Sequence, residues 1–337
     1  MVVLTDKQEI AEFAKANRLH LALGFFDGVH IGHQAILERV LTLARDEGGA
    51  PGALLLDPHP QQMLRADGYA ILNPLEEKIR WIQALGDIHV FIQTFDKGFA
   101  GLSGETFAQD FLVGLYRVQT AVCGFNYHFG NRGGWGTEDL QQFAESYGFA
   151  HNVIPQVSQG GETVSSSAIR QCMQTGDMYG AYTRLGHCHI FSGKVCRGRH
   201  IGESIGFPTA NLDIGQDLVW PAYGVYGGFI LDEHGHVHRG VINVGVRPTV
   251  HGGDGSPSFE AHILGYTGDL YGHALQVALT DRRRPEARFD GLPALQAQIR
   301  KDIADADLAL EAWASHLAET DLGPDALFSC FIKDYPV

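Results

Sequence analysis

The sequence predicts two domains of different fold class: an α/β domain with a mostly parallel, doubly wound sheet, then an antiparallel β-barrel with a C-terminal helix. In residues 1–185, short apolar runs alternate with helical periods, an order that calls for parallel strands joined by helices. Between residues 190 and 279, short strands follow one another across turns containing Gly or Pro, which is typical of a closed barrel. We therefore predict domains 1–185 and 186–337, the second with an extension from about residue 311.

The elements of the first domain are predicted from their periodicity. The first long helix, for example, places Ile36, Val40 and Leu43 on one face. The predicted order is strand 19–26, helix 35–48, strand 52–58, helix 75–86, strand 88–95, helix 105–116 and strand 119–125. Sheets of this kind bind ligands at the carboxyl ends of their strands. The turns after the strands are therefore the first places to search for a site.

The elements of the second domain are short and lie close together. The predicted strands are 190–198, 224–233, 238–245, 258–264 and 274–279. A helical period returns only in residues 293–310, which predicts one helix after the barrel.

Composition and charge narrow the classes of function. Residues 1–185 carry 13 Lys and Arg against 20 Asp and Glu, and residues 186–337 carry 12 against 19, so neither half is basic. This argues against a nucleic-acid partner, whose phosphates require clustered cations. Five cysteines without a CxxC pair argue against a disulfide framework or a zinc–thiolate site. The sequence has no signal peptide and no apolar run long enough for a membrane span, so we expect a cytoplasmic protein. The oligomeric state stays open.

The segment GFFDGVHIGHQ, residues 24–34, lies where the first strand turns into the first helix. Its glycines allow close approach of the backbone to a ligand, and a helix N-terminus offers unpaired N–H groups to an anion. His30 and His33 are three residues apart, so they share one face of the first helical turn and are suited to donate hydrogen bonds to a phosphate. No GxxxxGK[ST] loop occurs in the chain.

Two other interpretations of this histidine pair stay open. His30 and His33 could be surface residues of an ordinary helix start. They could also bind a metal together with Asp57 and His59 from the end of the second strand, as in a metal-dependent hydrolase.

Three motifs of the first domain carry a family resemblance. HxGH at the first strand-to-helix turn resembles the nucleotidylyltransferase superfamily, and FDGVHxGHQ resembles its FAD synthetase branch. Residues 124–130 are similar to the G-x-[DN]-F-x-F-G turn of that branch, and residues 164–170 to its SSTxIR motif. The resemblance implies His30, His33 and Arg170 as catalytic residues and a Rossmann-like fold. It also implies nucleotide binding by Gly24, Phe26, Asp27, Gly28, Asn126, Ser165, Ser166 and Ser167, and flavin binding by Asp57 and His59.

A second site is indicated by IGFPTANL, residues 205–212. Pro208 fixes the backbone, and Thr209 and Asn211 lie two apart, on the same side of an extended segment. A hydroxyl and an amide oxygen suit a hard cation such as Mg²⁺.

The order of motifs after residue 193 resembles riboflavin kinase: GxV, GFPTAN, GVY, NxGxRPT, ExH, DLYG and RPE. The resemblance implies a six-stranded Greek-key barrel in which Thr209 and Asn211 hold Mg²⁺ with ATP as co-substrate. It implies Glu260 as the general base that accepts the proton of the ribityl 5′-hydroxyl. It further implies nucleotide binding by Gly193, Gly206 and Pro208, and flavin binding by Tyr226, Arg284 and Glu286.

Together the motifs cover residues 18 to 310 and resemble the bifunctional riboflavin kinase/FAD synthetase family. The resemblance implies an enzyme that phosphorylates riboflavin to FMN and adenylylates FMN to FAD, releasing pyrophosphate. The chain departs from the family at Phe25, usually Asn, at Ser167, usually Thr, and at Glu203, commonly Arg. A flavin-binding or regulatory protein that has lost activity is the alternative that Phe25 and Glu203 would favour.

Overall fold

A parallel six-stranded sheet forms the centre of the first half of the chain in the computed structural model, which describes residues 1–66, 68–197, 202, 205–246 and 257–319. Its order is β1-β4-β3-β2-β5-β6, and every neighbouring pair is parallel. The strands are β1 Val3–Leu4, β2 Leu19–Leu23, β3 Ala50–Asp57, β4 His89–Thr94, β5 Val118–Gly124 and β6 Ala150–Ile154. The predicted α/β class is confirmed.

Helices cover both faces of this sheet, and a separate hydrophobic cluster fills each face. All five residues of the central strand β2 are buried, as expected for a strand between two helical layers. The helices are α1 Lys7–Ala16, α2 Ile31–Glu47, α3 Pro60–Leu64, α4 Leu75–Ala84, α5 Lys97–Ala100, α6 Gly104–Thr106, continuing as a π-helical segment Phe107–Leu115, and α7 Thr137–Tyr147. A short hairpin follows, β7 Ser158–Gln159 and β8 Glu162–Thr163.

The second half of the chain contains a closed antiparallel barrel in the order β10-β13-β12-β11-β14-β9. Strand β14 returns beside β11, the first of three successive hairpin strands, which is the Greek-key arrangement. The strands are β9 Ile190–Cys196, β10 Ala210–Asp213, β11 Gly224–Leu231, β12 Val237–Val246, β13 Pro257–Ile263 and β14 Ala274–Pro285, followed by the helix α10 Leu292–Glu319. The barrel and its C-terminal helix are therefore confirmed.

Two further helices precede the barrel, α8 Ser166–Thr175 and α9 Met178–Leu185. The chain forms two compact units, Met1–Ser166 and Ser167–Val337, so nearly all of α8 and the whole of α9 belong with the barrel. The backbone N–H of Ala222 donates to the carbonyl of Met173, and the ring of Tyr182 lies 5.5 Å from that of Trp313. The structural division thus falls before the predicted boundary at residue 185.

The C-terminal helix is attached to the barrel through Trp313, whose indole N–H donates to the carboxylate of Asp281 at 2.8 Å. Leu317, one turn later, is fully buried. Leu327, Phe328 and Phe331, further along the predicted extension, lie outside the described residues. Across the described ranges, no helix has the length and apolar character that a membrane crossing requires.

Candidate active sites

The two histidines of the first motif lie together at the start of α2. His30 is the N-cap residue, and its Nδ1 accepts a hydrogen bond from the backbone N–H of His33 at 3.2 Å. The rings stack, with centroids 3.6 Å apart and planes 12° from parallel. A neutral imidazole that accepts at Nδ1 carries its proton on Nε2, so His30 has a donor available for a ligand.

Both imidazoles are neutral at physiological pH. Burial lowers the pKa of His30 to about 4, against the opposing effects of a backbone hydrogen bond and of Asp27. Burial also lowers the pKa of His33 well below its usual value, and the charges of His30 and Lys78 lower it further. The buried Nδ1 of His33 has no hydrogen-bond partner among the described residues. A buried polar atom of this kind fits a site that receives a polar ligand.

The loop between β2 and α2 has an unusual backbone. Phe26, Gly28 and Val29 have φ angles of 50°, 88° and 43°. The left-handed region is natural for Gly28 but strained for Phe26 and for the β-branched Val29. Strain of this kind persists only where surrounding contacts hold the backbone, and it clusters at functional sites.

Several contacts hold this loop. The backbone N–H of Leu72 donates to Oδ1 of Asp27 at 2.9 Å, and Oγ of Ser166 donates to the Asp27 carbonyl at 2.9 Å. The structure therefore brings together the predicted residues Asp27 and Ser166, which are far apart in the sequence.

Lys78 was not predicted as a site residue. It lies in α4, only 3% exposed, and its ammonium donates to the carbonyl of Phe25 at 3.2 Å. Burial lowers its pKa, while the charges of Asp27 and Asp57 act in the opposite direction. A buried lysine gives no periodic signal in a sequence, although its position one turn inside an amphipathic helix could have drawn attention to it.

The end of β3 places His59 beside the same loop. Its ring stacks on Tyr69, with centroids 4.9 Å apart, and meets the edge of Phe25 at 5.3 Å. Its Nδ1 accepts from the backbone N–H of Gln61, which makes His59 the cap of α3. Asp57, the last residue of β3, is exposed. Among the described residues, no group of three or more His, Cys, Asp or Glu side chains is arranged to hold a metal.

The remaining predicted residues of this site fall on three elements. Asn126 is exposed in the turn after β5, and Gly24 directly follows the last residue of β2. Ser165 is partly buried just before α8. Ser167 and Arg170 lie in α8, in the second unit, and their roles in adenylyl transfer stay predictions.

The second site is built by cross-strand pairing in the barrel. Glu260 of β13 lies directly opposite Asn211 of β10 and, on its other side, opposite Asn243 of β12. All three are partly buried, whereas their neighbours Phe259 and Ala261 face the interior. Side chains opposite each other in an antiparallel pair have Cβ atoms about 4.5–5.5 Å apart. A carboxylate is thus flanked by two amides on one face of the barrel. Asn243 belongs to the NxGxRPT motif but was not predicted as a site residue.

The segment before β10 adjoins a cavity of about 380 Å³, a size suited to a small-molecule ligand. Pro208, Thr209, Asp269 and Tyr271 are among the residues that line it. The carbonyl of Pro208 accepts from Nδ1 of His262 at 2.7 Å, which ties this segment to β13. Gly206 has a φ of 86° in the turn before Pro208.

Gly193, predicted to bind nucleotide, has a packing role. A Cβ at this position would lie 2.7 Å from the backbone carbonyl of Asp213, so only glycine allows β9 and β10 to approach this closely.

The predicted flavin-binding residues of the barrel have different surroundings. Tyr226 is fully buried, donates to the carbonyl of Ala222, and burial raises its pKa to about 12. Arg284 forms a bidentate ion pair with Asp302 of α10, at 2.7 to 3.1 Å. Glu286 is exposed and occupies the space that a Cβ at Gly245 would fill. Their predicted contact with flavin stays a prediction.

Comparison with known proteins finds relatives that match both halves of the chain. A family model described as FAD synthetase matches residues 12–168, and one described as Riboflavin kinase matches residues 185–310. The Bifunctional riboflavin kinase/FMN adenylyltransferase of Bacillus subtilis is 32% identical over 289 residues, which cover 85% of this chain and 90% of that protein. The protein of the same name from Escherichia coli K12 is 36% identical over 283 residues, covering 84% and 90%. The chain belongs to the bifunctional riboflavin kinase/FMN adenylyltransferase family.

The architecture of the chain also has a counterpart among solved structures. A crystal structure described as a Macrolide-efflux Protein from Streptococcus pneumoniae matches with a TM-score of 0.80 at 25% identity, covering 91% of this chain and 99% of that one. This match shows a similar fold. The efflux named in the description refers to that protein only.

Family membership confirms the resemblance inferred from the motifs. Phe25 is 37% exposed at the end of β2, and its carbonyl is the acceptor for Lys78. A backbone carbonyl is supplied by any residue type, so this contact does not depend on the side chain at position 25. Glu203 lies outside the described residues.

Proposed function

We propose that this chain makes FAD in two steps, phosphorylating riboflavin to FMN with ATP and then adenylylating FMN with a second ATP. The observation that carries the proposal is the presence of both family matches in one chain, residues 12–168 and 185–310. The site geometry supports it, because each unit contains its own cluster of chemically suitable side chains.

We assign the kinase step to the barrel. The ribityl 5′-oxygen attacks the γ-phosphorus of ATP, the bond to the β,γ-bridging oxygen breaks, and ADP leaves. Glu260 accepts the hydroxyl proton, a role that needs a carboxylate held close to the reacting oxygen. The pairing of Glu260 with Asn211 supports this role, because it places the carboxylate beside a predicted metal ligand.

Magnesium fits the donor set at this site. Thr209 and Asn211 offer a hydroxyl and an amide oxygen, which are hard donors, and Thr209 lines the cavity. A bound Mg²⁺ would neutralise charge on the phosphates of ATP. Thr209 and Asn211 would orient the nucleotide relative to Glu260.

We assign the adenylyl step to the α/β unit. A phosphate oxygen of FMN attacks the α-phosphorus of ATP, and pyrophosphate leaves. Neutral His30 and His33 donate hydrogen bonds to the charge that develops on the phosphates, and the N-terminus of α2 adds its N–H groups.

The cytoplasm is the proposed location, supported by the odd number of cysteines without paired spacing.

The test is chromatography of flavins after incubating the pure protein with riboflavin, ATP and Mg²⁺. FMN should form first and FAD should follow. An excess of EDTA should stop FMN formation, because phosphoryl transfer from ATP depends on the metal. FMN alone would leave only a kinase, and unchanged riboflavin would favour a flavin-binding protein.

The two activities should be separable, because His30 and His33 lie in the first unit and Glu260 and Asn211 lie in the second. Since α8 and α9 pack with the barrel, a fragment that begins at Ser167 should be more stable than one that begins at Gly186. We expect the longer fragment to convert riboflavin to FMN and to make no FAD. A well-folded longer fragment, judged by circular dichroism, that makes no FMN would show that the assignment of steps to units is wrong.

A further inference from the structure

Lys78 is a charged side chain in the interior of the first unit. It belongs to the buried face of α4, together with Glu77 and Ile82. Ordering and burying an ammonium is costly unless charges and hydrogen-bond acceptors compensate for the lost water. The compensation comes from Asp27, Asp57 and the carbonyl of Phe25.

The acceptor of Lys78 belongs to the strained loop. Phe25 immediately precedes Phe26, Asp27 and the left-handed pair Gly28 and Val29. A charge-assisted hydrogen bond to the Phe25 carbonyl holds the first part of this loop, while Leu72 and Ser166 hold Asp27. The last part of the loop ends at His30, the cap of α2.

The same ammonium also acts on His33 through its charge. It lowers the pKa of His33 further than burial alone does. The groups whose charges act on His33 are His30, the cap of its own helix, and Lys78 on α4. Asp27 in the loop acts on both His30 and Lys78, and Asp57 at the end of β3 acts on Lys78. Without Lys78, His33 would therefore take up a proton at a higher pH.

We propose that Lys78 is a positioning residue for adenylyl transfer: its ammonium ties the Phe25 carbonyl to α4 and thereby sets the placement of His30 and His33. This rests on the proposed function of the α/β unit. Lys78 acts through the loop and not on the substrate, so its loss should lower turnover with little change in the KM for ATP or FMN.

The experiment compares Lys78→Met with Lys97→Met in the full-length protein. Lys97 is an exposed lysine of the same unit, so the second variant makes the same chemical change at the surface. Lys78→Met should lower the kcat of FAD formation from FMN by about 10²-fold, the effect typical of a misplaced catalytic group. FMN formation from riboflavin, measured on the same samples, should be unchanged in both variants.

Two readouts separate positioning from simple loss of structure. The acid limb of the pH profile of FAD formation should move to higher pH in Lys78→Met, because the cation that lowers the pKa of His33 is gone. Lys78→Arg keeps a charged donor and should recover most of the lost rate. Circular dichroism and the melting temperature show whether each variant is folded, and FMN formation, which belongs to the other unit, serves to normalise the amount of active protein.

The proposal is wrong if folded Lys78→Met makes FAD at the wild-type rate, or if folded Lys78→Arg is as slow as the Met variant. Should the Met variant fail to fold, the pH profile of the Arg variant decides. If Lys78→Arg keeps the wild-type pH profile and most of the wild-type rate of FAD formation, positioning by the charge is supported. A large loss of that rate in folded Lys78→Arg overturns the proposal. If the wild-type protein makes no FAD at all, the proposed function fails instead.

Discussion

Replacing Glu260 by Gln should lower FMN formation by about 10²–10⁴-fold, the range typical of a lost general base. Gln keeps the size and the hydrogen-bonding capacity beside Asn211 and Asn243 but cannot accept the proton of the ribityl hydroxyl. Riboflavin should therefore still bind, as measured by quenching of flavin fluorescence. FAD formation from supplied FMN should continue at the normal rate, because the proposed adenylyl site lies in the other unit.

Two matched variants sharpen this result. Glu260→Asp keeps the carboxylate but shortens its reach, so it should retain more activity than Gln. Glu311→Gln makes the same change on an exposed carboxylate of α10 and should leave both activities unchanged. Near-normal kinase turnover in Glu260→Gln would remove Glu260 from the mechanism. Attention would then move to Asp269, which lines the cavity, and to Glu286.

Replacing His33 by Ala should lower the conversion of FMN to FAD by about 10²–10³-fold, as the loss of one donor to transition-state charge typically does. The reason is that His33 is neutral, stacks on His30 and presents a buried Nδ1 with no partner among the described residues. FMN formation from riboflavin should be untouched. Both rates are measured on one preparation by separating the flavins.

His33→Phe separates chemistry from packing, because it keeps a ring against His30 and Phe26 but has no N–H group. It should be as slow as the Ala variant, and a rate restored by Phe would mean that His33 only fills space. His20→Ala is the control, because it removes a different buried histidine, one that lies in β2 before the loop. It removes a contact with the Gly48 carbonyl and should reduce stability without a selective loss of FAD formation.

The boundaries that differ from prediction have local physical reasons. The run LHLALGFF predicted a strand to residue 26, but β2 ends at Leu23 because the left-handed φ of Phe26 is incompatible with a strand. Helix α2 begins at Ile31 and not at residue 35, because the side chain of His30 caps it. Histidine is not among the usual cap residues, so the apolar period alone placed the start too late, although the motif had already placed His30 and His33 at the first helical turn.

Two other elements were not predicted, for different reasons. Strand β6 has no fully buried residue and so gives no clear period of two. Helix α7 does have a helical period, with Leu140 and Ala144 buried on one face, and the prediction did not include it. A period of two or of 3.6 residues is visible only where one face is buried and the other is not. The helix predicted at 105–116 forms, but most of it is π-helical, a rare form that a prediction based on the α-helical period does not include.

The sequence by itself determined the two fold classes, the family and the motif residues, because periodicity and short motifs are local properties of the chain. Tertiary structure decided which of these residues meet. Strand register placed Glu260 between Asn211 and Asn243, and the packing of α4 buried Lys78 between Asp27 and Asp57. Register and helix packing depend on the fit of whole surfaces across distant segments, so no local pattern contains them.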